Sequence, residues 1–337
     1  MQAPVSAPDD PAGVTHPLFA LPTTMTVAFV ALALERFLGF PAPLRRLIGH
    51  PASWLYRFTG IFAVLLPGAG TGRTQASLRG ALFCLAAMSA TLVLAIALTA
   101  WLRPLPWAWC WEAVLAMPFL QQYATRMRAR AVAAALSGGN LTEAARAVAV
   151  INPSSPVPET VAQTVRRTTE AIAWNLSTGI VTPAFWLALF GLPGIVAIGA
   201  LHAVERRTAA SHPQAAGLAG ALLTAARFLP CKLAGLLVTG AASMVSPAAG
   251  ARALEHIHAD ARLDRVRDAN WPRAAFAGIL SIRLGGPEMP DQTERTDHWV
   301  GNGSRDPALP ELRAGLRLLA TTLTLFTILT GIAAAFA

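Results

Sequence analysis

The sequence predicts an all-α, polytopic integral membrane protein with about 4–6 membrane helices, including a broken or re-entrant pair, and two cytoplasmic helical loops. Hydrophobic side chains make up 54% of the 337 residues and charged ones 13%, whereas a soluble domain carries about 25% charged residues. The mean hydropathy is +0.48. The apolar runs are rich in Ala and Leu without strict alternation, which indicates helices. This composition excludes a disordered chain, a coiled coil and an ordinary cytosolic enzyme.

The number and positions of the charged residues indicate whether the chain interacts with a membrane or with nucleic acid. The formal net charge is +9, and Lys232 is the sole lysine among 27 basic residues. The arginines lie between apolar runs, as the positive-inside rule expects for cytoplasmic loops, whereas nucleic-acid binding needs a clustered basic surface on a soluble module. We therefore expect a multi-pass protein of the cell inner membrane, with membrane lipid as its surroundings and no nucleic-acid partner.

The chain divides into a leader and one membrane domain. Residues 1–17 carry no basic n-region and are expected to be a disordered leader rather than a secretory signal. Residues 18–337 form the domain, with water-facing loops at about 121–170 and 245–313. The first loop holds six arginines against three acids and is expected to form two helices separated by the Asn-Pro-Ser-Ser-Pro breaker at 152–156.

The first apolar runs differ in length. Residues 18–34 are at the lower limit for a span, and 58–66 are short enough to be interfacial or buried. Residues 80–101 are the clearest span, because 22 helical residues cover about 33 Å of a ~30 Å hydrocarbon core. Residues 104–120 contain three tryptophans and Glu112, which allows a tilted return span or an interfacial helix.

The later apolar runs include an irregular one. Residues 171–201 lack charges but are interrupted by glycines and prolines, so we expect a broken helix or a re-entrant pair that lines protein or water. Residues 215–244 are apolar but carry Arg227 and Lys232, which either snorkel to the interface or bind an anionic group. Residues 318–337 form the final span.

Several shorter motifs suggest a functional site, but the evidence that each gives for one is weak. The glycine-rich segment 68–74 departs from a phosphate-binding loop in spacing and has Arg73 in place of lysine. His256 and His258 are two apart on a predicted helix, so they would point to different faces. Glu112 is either a functional intramembrane carboxylate or a group at headgroup depth. The three cysteines lie in apolar stretches without a CxxC pair, which predicts neither a disulfide framework nor a zinc site.

A family resemblance rests on several motifs in order along the chain. The strongest are TEAIAWNLSTGIVTPAFW (169–186) with LFGLPG (189–194), and NWPRAAFAGILSIRLGG (270–286); LERFLGFP (34–41) with His50-Pro51 and LPCKL (229–233) are weaker. Together they resemble the CobD/CbiB family, the membrane-bound adenosylcobinamide-phosphate synthases of cobalamin biosynthesis. The combination is specific, whereas no single piece is.

The resemblance implies an ATP-dependent amide ligase. Such an enzyme joins (R)-1-amino-2-propanol or its phosphate to adenosylcobyric acid, and other corrinoid-pathway enzymes are possible partners. ATP and Mg²⁺ are the implied cofactors, so the site should offer cations for phosphates, carboxylates for Mg²⁺ and a dry pocket.

The departures from the family pattern reduce the number of residues that we expect to form the site. Glycines, prolines and apolar residues match, whereas Trp174, Thr178 and Arg273 replace acids and Arg227 replaces an amide. By position, Asn175, Glu205 and Lys232 are the catalytic candidates. The substrate-binding candidates are His202, Arg227, Asn270, Gly285 and Gly286, and no metal ligand is assigned.

Two alternatives remain open at this point. A paralogue that has lost catalysis would scaffold other corrinoid enzymes at the membrane, as the missing acids suggest. A small-molecule transporter would explain cations in an apolar stretch, but the sequence shows no inverted repeat.

Overall fold

The computed structural model describes residues 21–40, 49, 51–68, 70–151, 157–211, 213–260, 270–286 and 299–337. Helices dominate this part of the chain, which confirms the all-α prediction. The α-helices are α1 (Leu21–Leu38), α2 (Pro51–Gly60), α3 (Arg73–Leu102), α4 (Ala108–Ala116), α5 (Gln122–Ser137), α6 (Leu141–Ile151), α7 (Val161–Asn175), α8 (Thr182–Ser211), α9 (Gly217–Val245), α10 (Pro247–Asp260), α11 (Asn270–Leu280) and α12 (Leu309–Phe336).

Shorter elements join these helices. A π-helical segment, Leu176–Val181, connects α7 to α8, and 3₁₀ turns occupy Ile61–Leu65, Met117–Phe119 and Pro213–Ala215. Strand β1 (Leu284–Gly285) pairs antiparallel with β2 (Trp299–Val300). The leader, His50 and the breaker at 152–156 lie outside the described residues.

In the part of the chain that the structure describes, four helical segments are long and apolar enough to cross a membrane: Arg73–Leu102, Val161–Ala209, Gly217–Val245 and Leu309–Phe336. They coincide with the runs expected at 80–101, 171–201, 215–244 and 318–337. The chain is therefore a multi-pass membrane protein.

The two shorter apolar runs do not make long helices. Residues Ala52–Leu65 form a short apolar helix. Helix α4 has nine residues, which rise about 14 Å and cannot span a bilayer. Of the two alternatives for 104–120, the short helix is the one that the structure contains.

The arginine-rich segment 121–170 contains α5, α6 and the first turns of α7, so the expectation of two helices is wrong. The missed boundary is at Gly139, which has a left-handed φ of +73°. Asn140 then begins α6, because its Oδ1 accepts the Glu143 N–H at 3.0 Å. This is a helix N-cap, and the glycine before it permits the turn.

The long segment around 171–201 is interrupted, as expected, and forms a hairpin. Gly191 has φ +64° and ψ −152° inside α8. A Cβ atom added at Gly194 would lie 2.2 Å from the carbonyl oxygen of Trp186, although eight residues of straight helix rise about 12 Å. The chain therefore reverses at Gly191, and Pro193 begins the second arm.

Helices α1 and α4 hold the tip of this hairpin. The Thr24 hydroxyl donates to the Ala188 carbonyl oxygen at 2.6 Å. Glu112 is 8% exposed, and a Cβ at Gly191 would lie 3.7 Å from its Oε2. Glu112 is thus buried in protein against the tip.

Within the segment 245–313, helix α11 packs closely on the membrane helices. In α11, the four residues from Ala274 to Ala277 are at most 1% exposed. Helix α11 contacts α9 where Gly235 faces Trp271, because a Cβ on Gly235 would lie 2.7 Å from the Trp271 Cβ. This segment therefore contributes a buried helix, α11, to the core of the protein.

Candidate functional site

A cavity of about 490 Å³ opens between the two arms of α8, the end of α7, α9 and the residues after α4. Thr178 and Pro183 line it from one side of the hairpin and Ile198 and His202 from the other. Pro183 and Ile198 share this wall because the chain reverses between them. The hairpin is therefore the element that creates the cavity.

Four of the sequence-predicted site residues meet here. Asn175, His202, Glu205 and Arg227 all line the cavity. They come from α7, the second arm of α8 and α9, and 52 residues separate the first from the last. The sequence placed them in one site only through the resemblance.

Arg227 is held in the cavity wall rather than snorkelling to the interface. It is 8% exposed, and its Nη2 lies 2.9 Å from His202 Nδ1. Its guanidinium carbon lies 5.5 Å from the ring centroid of Trp174. Since a guanidinium only donates hydrogen bonds, His202 must offer it a lone pair, and this requires a neutral imidazole.

The π-helical segment is explained by the proline that follows it, Pro183. Pro183 lacks an N–H, so it cannot donate to the carbonyl of Gly179 four residues earlier. That carbonyl instead accepts the backbone N–H of Gln121 at 3.1 Å. A Cβ on Gly179 would lie 3.2 Å from the Gln121 side chain, so a glycine permits the close approach. The segment fixes Asn175 and Thr178 at the cavity.

Glu205 and Arg206 enter from the second arm of α8. Glu205 is half-buried and Arg206 is exposed at the rim. The guanidinium carbons of Arg206 and Arg207 lie 4.8 and 4.0 Å from the ring centroid of Tyr56. Arg207 also donates to the Tyr56 carbonyl oxygen at 2.6 Å. Helix α2 thereby secures the arm that carries Glu205.

Lys232 is not brought to this cavity. Lys232 follows Arg227 by five residues, about 140° around the helix, and its Nζ lies 4.0 Å from the Phe228 ring centroid and 5.6 Å from that of Trp271. Asn270 begins α11 beside Trp271, and its side chain lies outside the described residues. Lys232 therefore marks the contact between α9 and α11.

Gly285 and Gly286 lie beside α7 instead of lining the cavity. The Gly285 N–H donates to the carboxylate of Glu170, which is one helical turn before Trp174. Gly286 has φ +86° and packs against the Trp299 indole. This contact joins the two strongest motifs of the sequence through Glu170, five residues from Asn175.

Gln121, Arg206 and Glu170 are functional candidates that sequence reasoning missed. Arg206 adjoins Glu205, so its position could have been found from the same motif. Glu170 lies inside the quoted motif, but its contact with Gly285 spans 115 residues. Gln121 carries no sequence signal at all.

The chemistry of the lining residues suits phosphate groups better than a bare metal. In the ranges described, no group of three or more His, Cys, Asp or Glu side chains could hold a metal ion. Glu205 is the carboxylate that reaches the described cavity wall, together with Arg206 and Arg227. Mg²⁺ at a phosphate site commonly takes one or two carboxylates and leaves the other positions to phosphate oxygens and water. The donor set fits that arrangement.

The remaining motifs have structural roles. His256 is 8% exposed, and its Nδ1 lies 3.0 Å from Asp260 Oδ2. Asp260 in turn accepts the Gly301 N–H at 2.9 Å. His258 faces the Leu254 carbonyl oxygen at 2.8 Å. The three cysteines, all in the described part of the chain, form no disulfide, and two of them are buried.

Comparison with known proteins gives a consistent result. The family model described as CobD/Cbib protein matches residues 28–319. The chain is 33% identical over 311 residues to the cobalamin biosynthesis protein CobD of Rhodobacter capsulatus, covering 90% of this chain and 96% of that protein. It is 28% identical over 302 residues to CobD of a Sinorhizobium species, covering 86% and 91%.

A third relative and the structures complete the comparison. The CobD protein of Klebsiella pneumoniae is 32% identical over 218 residues, covering 64% of this chain and 68% of that protein. No solved structure matches the chain. From the family match and the extent of the similarity, the chain belongs to the CobD/CbiB family of cobalamin biosynthesis proteins.

Proposed function

We propose that the protein is the amide ligase of cobalamin biosynthesis, joining (R)-1-amino-2-propanol or its phosphate to adenosylcobyric acid to give adenosylcobinamide or its phosphate. The observation that carries the proposal is the convergence of Asn175, His202, Glu205 and Arg227 on one cavity. Asn175 belongs to a motif that resembles the family, and the other three residues were named by their positions relative to the family pattern. A small number of polar groups that converge in one pocket is typical of a substrate site.

The size of the cavity limits what it encloses. About 490 Å³ holds a small amine and one carboxylate arm, whereas an adenosylated corrin ring is far larger. The corrin therefore lies outside the cavity, and only the reacting arm enters. This arrangement excludes water from the reacting atoms while leaving the macrocycle in solvent.

The charge of each residue that lines the cavity determines its proposed role in the reaction. Bound ATP with Mg²⁺ would supply the leaving group that makes the substrate carboxylate reactive. Glu205 binds the amine as its ammonium and takes one proton from it, which gives the neutral nucleophile. The second proton passes to water as the C–N bond forms and the bond between the carboxyl carbon and the leaving group breaks. Arg227 and Arg206 face the negatively charged groups, and Asn175 orients the substrate through its amide.

The proposed location is the cell inner membrane, with residues 121–170 and 245–313 on the cytoplasmic side. The support is the arginine content of both segments, because positive residues accumulate on that side. Cysteine-accessibility mapping tests this placement. Labelling of both segments from the outer side would contradict it.

The direct test is turnover by the protein purified in detergent. ATP, Mg²⁺, adenosylcobyric acid and either amine are supplied, and mass spectrometry detects the amide. We expect product from the native protein, and a loss of at least 100-fold in Glu205→Gln, in line with general base catalysis. Glu159→Gln, an exposed change on the loop before α7, is the matched control.

A non-catalytic scaffold for other corrinoid enzymes is the second candidate. One observation favours it: the described cavity wall contains a single carboxylate, Glu205. Absence of product with both amines, together with co-purification of another corrinoid enzyme, would support the scaffold. Turnover that Glu205→Gln abolishes would reject it.

A further inference from the structure

The cavity wall contains an arginine that two neighbours hold in place. Arg227 lies ten residues into the apolar helix α9 and is 8% exposed. A cation inside a membrane segment costs free energy, so such a residue generally has a functional role. His202 lies 2.9 Å from its Nη2 and the Trp174 ring 5.5 Å from its guanidinium carbon. Both neighbours are neutral groups from other parts of the chain.

These contacts set the direction of the guanidinium. The imidazole lone pair takes one N–H, and the indole face attracts the planar cation. A guanidinium has five N–H donors in a rigid fork that matches phosphate oxygens in pairs. With one side against His202, the fork lies in the wall of the cavity that it lines.

The charge of the described lining favours an anion. Arg227 and Arg206 are both present and Glu205 is the acid among them, which leaves an excess of one positive charge. In a cavity walled by protein such an excess attracts negative ligands more strongly than it would on an open surface. Arg206, exposed at the rim, lies where a ligand enters.

We propose that Arg227 forms an oxyanion subsite that binds a phosphate group in the cavity, with His202 as the positioning residue that orients its guanidinium. The subsite deepens the proposed function, and as a role in ligation it rests on that function. The phosphate belongs either to a phosphorylated amine or to a nucleotide. The two sources share one chemistry, and substrate competition separates them.

Anion binding is measured without turnover. The full-length protein in detergent is titrated with inorganic phosphate and pyrophosphate, and its melting temperature is recorded against sodium chloride at equal ionic strength. We expect both anions to stabilise the native protein. Arg227→Met should weaken the apparent affinity at least tenfold, whereas Arg146→Met, an exposed change on α6, should leave it unchanged.

Two further variants cover the chance that Arg227→Met does not fold. Arg227→Lys keeps the charge but loses the fork, and should bind pyrophosphate several-fold more weakly. His202→Ala removes the orienting lone pair and should weaken binding, and His202→Asn, which keeps an acceptor, should restore part of it. Unchanged phosphate affinity in folded Arg227→Lys and His202→Ala would overturn the proposal.

The source of the phosphate follows from competition. If the subsite takes the amine phosphate, aminopropanol phosphate will displace pyrophosphate and aminopropanol will not. If it takes the nucleotide, ATP will displace it instead. Arg227-dependent anion binding without amide product would retain the subsite and reject the ligase, whereas product formation with no effect of Arg227 on binding would do the reverse.

Discussion

The α8 hairpin and the outer helix α12 are both apolar enough to cross a membrane, yet they occupy opposite environments. In the most apolar window of the segment Val161–Ala209, 56% of the residues are buried within the protein, against 22% for Leu309–Phe336. The buried segment contains Pro183, Gly191 and Pro193, whereas α12 is regular through its apolar part. Irregular backbone in a membrane protein must be surrounded by protein, so interruptions mark the interior and uninterrupted runs the periphery.

The largest expected effect comes from closing the hairpin's tight turn. Gly194→Ala places a Cβ 2.2 Å from the Trp186 carbonyl oxygen, and a backbone atom cannot move aside cheaply. We expect a loss of more than about 3 kcal/mol of stability, measured as melting temperature and yield in detergent. The control is Gly220→Ala in α9, where nothing lies within 4 Å; it should stabilise by about 0.5–1 kcal/mol. Equal effects of the two changes would contradict the hairpin.

The next prediction compares the loss of stability caused by truncating a side chain in a buried helix and in a peripheral one. Phe276 in α11 is fully buried, so Phe276→Ala should cost about 3–5 kcal/mol. Val93→Ala on α3, where the side chain is 66% exposed, should change stability by less than about 0.5 kcal/mol. Denaturation in detergent measures both. A small effect at Phe276 would mean that the segment 245–313 is a loop without a core.

A pH-dependent effect is expected at the contact between α1 and α5. Glu35 lies just beyond the apolar run of α1, and burial raises the pKa of its carboxyl from 4.5 to about 7, against the lowering effect of the Tyr123 and Gln122 backbone N–H groups and of Arg126. The folded state therefore holds this proton to higher pH than the unfolded chain. The resulting stability is present below about pH 4.5 and is lost as pH rises through about 7.

Glu35→Gln removes this dependence. Relative to the native protein, the variant should gain stability between pH 4.5 and pH 8, by on the order of 1–3 kcal/mol. The Tyr123 N–H, which lies 3.0 Å from Glu35 Oε1, retains an acceptor in the glutamine. Melting curves across this pH range measure the difference, with Glu159→Gln as the exposed control. Parallel curves for the native protein and Glu35→Gln would refute the prediction.

The smallest effect concerns the clamp between α2 and the second arm of the hairpin. Two arginines stack on the Tyr56 ring, so Tyr56→Leu should cost about 1–2 kcal/mol. Tyr56→Phe keeps the ring and should be close to neutral. If the two variants melt together, the stacking contributes nothing measurable.

Part of the site was predictable because it depends on local pattern. Glycine and proline in 171–201 predicted the interruption. Comparison with the family pattern named Asn175, His202, Glu205 and Arg227, which share the cavity. The role of Lys232 was harder to place, because residues five apart on a helix face different neighbours. The boundary at Gly139 was missed because the arginine-rich stretch was interpreted from its charge and from the breaker at 152–156, and the Gly-Gly-Asn turn was not counted as a helix end.

By itself, the sequence determined the helical class, the four long apolar segments and the family, since hydropathy and motif order are properties of the chain alone. The tertiary structure decided that the chain reverses at Gly191, that Gln121 takes the carbonyl left by Pro183, and that Trp174 and His202 meet at Arg227. The physical reason is range: a hydrogen bond or a stacked ring between distant residues depends on how helices cross, and no local pattern records the crossing.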